Sequence, residues 1–181
     1  QLYSKLIPNK KKINFIGYLL PEPPQYIPKK KPIDLFVMFG GGGQALDQVK
    51  RMSHILHRVK NKKIFILTGP LFQNAEHQKL QKKYPQIKFI KSSKNIKKYL
   101  LRSKLVITHC GYNSIMETLQ YGGNILLCPR LKITRKEQLY RAKYFKRKWI
   151  CDYFDYRDND LKIMEKIIRN FNNRKKYNPL A

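Results

Sequence analysis

The chain has 181 residues, 42% hydrophobic and 12% aromatic, which allows one domain with a sizeable core and excludes a disordered chain. It carries 39 Lys and Arg against 11 Asp and Glu, a formal net charge of +28, so its surroundings are expected to be anionic unless the composition is simply biased. Three cysteines (Cys110, Cys128, Cys151) without a CxxC pair exclude a disulfide framework and a zinc site, and no apolar run approaches the ~20 residues that span a bilayer.

In chain order, residues 1–33 read as a leader or linker: an apolar "INFIGYLL" (Ile13 to Leu20), then "PEPPQYIPKKKP", whose prolines fit neither a helix nor a central strand. The opening at Gln1, inside a basic stretch, reads as a fragment or a processed chain. A domain is expected over 34–171, followed by a polar tail over 172–181. Strand-like runs are Asp34 to Phe39, Lys63 to Thr68, Ile87 to Ile90, Lys104 to His109, Asn124 to Pro129 and a short Trp149 to Cys151. Between and after them, helices are predicted over Gln44 to Lys60, Asn74 to Tyr84, Asn95 to Arg102, Asn113 to Tyr121, Lys136 to Lys148 and Asp158 to Phe171. Strands that are apolar throughout and alternate with helices predict an α/β, Rossmann-like domain, its parallel sheet of about six strands covered by helices on both faces. Ligands of such sheets bind beyond the carboxyl ends of the strands, which directs attention to the residues after each one.

Three of those stretches carry candidate chemistry. Gly40, Gly41, Gly42, Gly43 and Gln44 join a strand to a helix, where backbone N–H groups and a helix N-terminus suit a phosphate. It is neither GxGxxG nor a Walker loop, and a tight turn would need fewer glycines. "THCGYNSIMETL" (Thr108 to Leu119) follows the fourth strand. There Gly111 permits an unusual turn, Asn113 or Ser114 can cap the helix, and Ser114 with the first-turn N–H groups can hold a phosphate. On spacing alone Glu117 closes a capping box or accepts the two vicinal hydroxyls of a ribose, and both roles stand. "CPRLKITRKEQLYRA" (Cys128 to Ala142) carries Arg130, Arg135, Glu137 and Gln138, of which the last two suit sugar hydroxyls or a solvated helix start. His54 and His57 share a helix face without a third ligand, so no metal is expected there, and His77 gets no role.

Taken together, "LTGP", "HCGYNSIMETLQYGG", "LLCPR" and "EQLYRA" resemble the C-terminal lobe of the bacterial undecaprenyl-diphospho-muramoylpentapeptide N-acetylglucosaminyltransferase superfamily (the glycosyltransferase family 28 C-terminal domain), and more closely a group of predicted glycosyltransferases within it. The resemblance runs from about Ile13 to Tyr153, and "GYLLPEPP" is similar to the crossing between the two lobes of such enzymes. It implies one lobe of a GT-B fold, binding a UDP-linked sugar such as UDP-N-acetylglucosamine for transfer to an acceptor held by an N-terminal lobe. By that resemblance Gly40 to Gln44 approach the diphosphate, and backbone from Ile90 to Ser92 meets the uracil. Gly111 to Ser114 face the phosphates, with His109 and Arg130 beside them. Glu117 holds the ribose, and Gln138 with Glu137 reads the sugar. No tightly bound cofactor or metal is implied, and the general base belongs to the other lobe. The chain departs from the pattern at Gly42, where a Ser is common, and at His109-Cys110, where the His is similar to that of glucuronosyltransferases.

The spread of basic residues favours compositional bias with weak attraction to an anionic membrane surface over a nucleic-acid partner. With no signal-peptide pattern, the expected location is cytoplasmic, at most peripheral to a membrane. Rival readings are a basic nucleic-acid-binding module and an inactive nucleotide-sugar scaffold.

Overall fold

The computed structural model describes residues 17, 19–39, 46–130 and 136–173. Six strands form one parallel sheet: β1 (Ile33–Met38), β2 (Ile64–Leu67), β3 (Ile87–Ile90), β4 (Ser103–Thr108), β5 (Asn124–Leu127) and β6 (Asp152–Tyr153). Their order is β3-β2-β1-β4-β5-β6, with the chain returning across the sheet between β3 and β4. Six helices accompany them: α1 (Leu46–Leu56), α2 (Asn74–Lys83), α3 (Ile96–Leu101), α4 (Tyr112–Tyr121), α5 (Glu137–Arg147) and α6 (Asp160–Asn172).

The strands need both faces covered because both faces are apolar. In β1 all six residues are buried. Leu35 and Val37 point to one layer with Ile64, Ile66, Leu105 and Ile107, against Val49, Met52 and Ile55 of α1, Leu80 of α2, and Ile163 and Ile167 of α6. Phe36 and Met38 point to the other layer with Val106 and Leu100 of α3. Farther along that face, Ile125 and Leu127 meet Ile115 and Leu119 of α4 and Ala142 and Phe145 of α5. The alternation is the period-two pleat of each strand written twice, once per face.

Asp34 fixes the start of the sheet. Its carboxylate accepts from the Lys63 N–H at 2.8 Å and from Lys104 Nζ at 2.7 Å, joining β1 to both neighbours. Burial works against the charge, yet these hydrogen bonds hold its pKa below the usual carboxylate value. The linker is tied down as well. Tyr112 Oη accepts from the Leu19 N–H at 2.9 Å, and Tyr121 Oη donates to the Glu22 carbonyl at 2.7 Å, so residues 19–22 strap the first and last residues of α4.

Two expectations need correction. The first helix ends at Leu56 rather than running to Lys60. Arg58 and Val59 bond back only three residues, and Asn61 turns left-handed at φ 57°. The sixth strand is Asp152–Tyr153, not Trp149 to Cys151, because α5 ends in a motif that occupies those residues. The Ile150 N–H bonds to the Phe145 carbonyl and the Trp149 N–H to the Lys146 carbonyl, both at 3.0 Å. This is a Schellman ending, with Trp149 at φ 59° in the left-handed position that glycine normally fills. A left-handed L-residue costs about 1–2 kcal/mol, and the indole recovers little of that by burial, since it is 81% exposed.

Two outcomes follow for stability, both read by urea unfolding. Trp149→Gly is expected to stabilise the fold by about 1 kcal/mol, because glycine adopts the turn without strain. Gly123→Ala is expected to destabilise it by about 1–3 kcal/mol. A Cβ at Gly123 would lie 2.7 Å from the carbonyl oxygens of Ser103 and Lys104 and 2.9 Å from Lys31 Nζ.

Candidate functional site

The carboxyl ends of the strands form one rim, and two of the four buried polar atoms without a partner among the described residues lie together there, at the end of β4. His109 is 5% exposed, and its ring lies against Phe39 at 4.8 Å between centroids. Burial, then the charge of Arg130, push its pKa down to about 4, against a hydrogen bond to the Phe39 backbone. The imidazole is therefore neutral near pH 7. Its Nε2 and the adjacent Thr108 Oγ1 are buried with no partner among the described residues. Cys110, next in sequence, is buried, and burial pushes its thiol well above the ordinary value, so it is inert toward electrophiles. Its carbonyl accepts from Arg141 Nη1, which ties α5 to the turn between β4 and α4.

The start of α4 differs from expectation. Gly111 is the N-cap, in ordinary extended geometry (φ −63°, ψ 144°), so no unusual turn is made there. Neither Asn113 nor Ser114 caps the helix, because it begins at Tyr112 and both residues already lie inside its first turn. Glu117 consequently sits in the second turn, too far along for a capping box. Glu117 is half-buried, with no hydrogen-bond or ion-pair partner for its carboxylate among the described residues. No side chain caps α4, and neither Asn113 nor Ser114 donates its N–H to a partner among the described residues. A Cβ added at Gly111 would meet nothing within 4 Å among the described residues. An uncapped N-terminus carries partial positive charge and unpaired donors, which suits an anion.

α5 supplies the other wall. Glu137 is its first residue, where the helix dipole favours a carboxylate. Gln138 Oε1 accepts from the Arg130 N–H at 3.0 Å, which fixes the chain leaving β5 and leaves the Gln138 amide N–H groups for another partner. Gln138 and Arg141, three apart on one helix face, thus hold both neighbouring loops. Ile90 ends β3, and its carbonyl already accepts from the Thr68 N–H at 2.9 Å and Thr68 Oγ1 at 3.3 Å. Ser92 is exposed. β3 lies three strand spacings, about 14 Å, from β4. α3 packs on α4, however, so the chain after Ser92 returns toward the α4 side of the rim.

The structure therefore brings together His109, Gly111, Asn113, Ser114, Arg130 and Gln138, with Glu117 one turn down the same helix, and leaves Ile90 and Ser92 on the far part of the rim. Gly40 to Gln44 and Arg135 lie outside the described residues. His54 and His57 stack at 5.2 Å, and no group of three metal-ligating side chains occurs among the described residues. Sequence reasoning missed Arg141 and Phe39. The three-residue spacing of Gln138 and Arg141 was a usable signal, whereas the packing of Phe39 on His109 depends on β1 and β4 being neighbours.

Residues 35–181 match the family model for the glycosyltransferase family 28 C-terminal domain. No curated protein matches the chain in sequence. Among solved structures, the chain is similar to the glycotransferase of kitacinnamycin at 15% identity and a TM-score of 0.66, covering 91% of this chain and 42% of that one. It is similar to MurG of Acinetobacter baumannii at 16% identity and a TM-score of 0.65, covering 78% and 44%. Glycosyltransferase VinC in complex with DTDP matches at 10% identity and a TM-score of 0.61, covering 87% and 37%. Likeness at these identities is likeness of fold, and the chain spans less than half the length of each of these proteins.

The buried imidazole predicts a pH dependence of stability. Its folded pKa, about 4, lies below the ordinary 6.5, so between these values the unfolded chain binds a proton that the folded chain does not. Stability is whole above pH 6.5 and falls as pH drops toward 4. From pH 7 to pH 5 the loss from this residue is expected to be about 2 kcal/mol in urea unfolding, and a His109→Gln variant should lack it.

Proposed function

The chain belongs to the glycosyltransferase family 28 C-terminal domain family, and from that membership we propose that it is the donor-binding lobe of a two-lobed glycosyltransferase. Its ligand is a nucleotide diphosphate sugar, UDP-linked, with UDP-N-acetylglucosamine as the first candidate. The acceptor and the general base belong to another lobe.

The observation that carries this reading is the uncapped start of α4, beside the buried, unpartnered Nε2 of His109. A diphosphate satisfies both. Its oxygens accept from the Asn113 and Ser114 N–H groups, and its charge is offset by the helix end and by Arg130. One His109 nitrogen is occupied by its hydrogen bond to the Phe39 backbone. A phosphate oxygen at Nε2 therefore requires a second proton on the ring, and diphosphate binding is expected to take up a proton. The same donors face the leaving diphosphate when the sugar departs, where charge grows most, so they lower the barrier without a metal.

Glu117 supports the nucleoside end. A half-buried carboxylate with no partner among the described residues can accept both hydroxyls of a ribose, a pairing that rejects a sugar lacking them. Gln138 keeps its amide N–H groups for the transferred sugar, and Glu137 stands one residue before it at the helix start. The Gly40 to Gln44 stretch follows β1, the strand beside β4, which suits it to the other side of the diphosphate.

Calorimetric titration with uridine diphosphate at moderate salt tests the proposal. The parent chain is expected to bind at micromolar or tighter dissociation constants, and Glu117→Ala to weaken binding by about 1–3 kcal/mol, as for other unpaired buried polar groups. No binding by the parent chain, or binding that salt abolishes and Glu117→Ala leaves unchanged, would overturn it.

A further inference from the structure

A second feature lies at the opposite end of α5 from the candidate donor site, and it stands independently of the proposed function. A cavity of about 960 Å³ opens below the β5–β6 edge of the sheet. Its floor is apolar, with Ile125, Ile150 and Cys151, and Lys143, Arg147 and Arg169 stand around its mouth. The one carboxylate lining it among the described residues, Asp152, is already paired with Lys146 at 3.2 Å and with Arg169. Lys143 and Arg147 are exposed and carry no ion pair among the described residues, so the mouth keeps an excess of positive charge.

Trp149 sits on this rim, 81% exposed, at the left-handed end of α5. A glycine would close the helix without strain, and the backbone instead holds a large indole out in water between Lys148 and Ile150. Strain retained at a ring this exposed points to a contact made by its free face. Tyr140, also exposed and lining the cavity, adds a second amphipathic ring. Exposed Trp and Tyr rings among lysines and arginines, over an apolar floor, match the chemistry of a bilayer interface, where rings sit at headgroup depth and cations meet lipid phosphates. A single-stranded nucleic acid would instead be met by rings strung along a cationic track. Here the cations surround a single apolar-floored depression.

We propose that the C-terminal end of α5, with Trp149, Lys143 and Arg147 around the cavity, is a docking site for an anionic phospholipid surface. The attachment is peripheral: among the described residues no helix is long and apolar enough to cross a membrane. Trp149 enters the headgroup region, Lys143 and Arg147 meet lipid phosphates, and the apolar floor receives part of a lipid.

Trp149 is the single tryptophan of the chain, so its fluorescence reports on this site alone. The experiment adds phosphatidylcholine vesicles, with and without phosphatidylglycerol, to the full chain. The emission is expected to shift to the blue, and brominated acyl chains to quench it, only when phosphatidylglycerol is present. In co-sedimentation, Lys143→Glu with Arg147→Glu should lower partitioning by about tenfold or more. An equal charge change on the distant exposed Lys60 and Lys82 should cost far less. Trp149→Gly should weaken partitioning several-fold while unfolding at higher urea, which separates loss of docking from loss of fold. An unshifted emission, or equal losses from both pairs of charge reversals, would overturn the proposal. A matching blue shift with polyuridylate that displaces the vesicles would assign the site to nucleic acid instead.

Discussion

Full burial of both faces of the parallel sheet is the constraint on which the other features depend. Every side chain of β1 is inside, and β4 beside it is closed over from Leu105 to Thr108. A strand in that position cannot present a polar group sideways, so polarity is displaced to its ends. At the amino ends it appears as Asp34, whose carboxylate is consumed in joining β1 to β2 and β4. At the carboxyl ends it appears as Thr108 Oγ1 and His109 Nε2, two buried atoms without partners among the described residues. One end of the sheet is electrostatically closed and the other open, and only the open end can take a charged ligand without breaking existing bonds.

The same constraint explains what the sequence made legible. The cores of "DLFVMF" and "KLVITH" are apolar, and that these runs are buried strands of a parallel sheet follows from it, whereas the order of the strands does not. The helices were legible where their inward residues recur at helical spacing, as Val49, Met52 and Leu56 do in α1. Boundaries were not. Trp149 to Cys151 resembles a strand in composition, but the α5 ending depends on two backbone hydrogen bonds and a left-handed tryptophan, and no propensity announces those. Gly111 invites a special turn on paper, whereas its backbone is ordinary.

The candidate site divides in the same way. The first-turn N–H groups of α4 could be located from the sequence, since a helix after a strand always offers them. That no side chain caps them could not, because Asn113 and Ser114 are good capping residues placed two and three positions too late. The state of His109 was invisible as well. Its lowered pKa comes from burial and from Arg130, which β5 brings alongside although it is 21 positions away in sequence. Arg141 reaches the Cys110 carbonyl from a different helix, so its value for the shape of the β4–α4 turn emerges only when α5 has packed.

The strap of residues 19–22 over α4 sets where this lobe ends mechanically. Tyr112 grips the Leu19 amide at the amino end of the helix, and Tyr121 grips the Glu22 carbonyl at the other. Swinging the chain about any point between Leu19 and β1 would break one or both of these bonds. Among the described residues, these two bonds make residues 19–22 part of the lobe well before its first strand, so a pivot that leaves both bonds intact lies outside the span from Leu19 to β1.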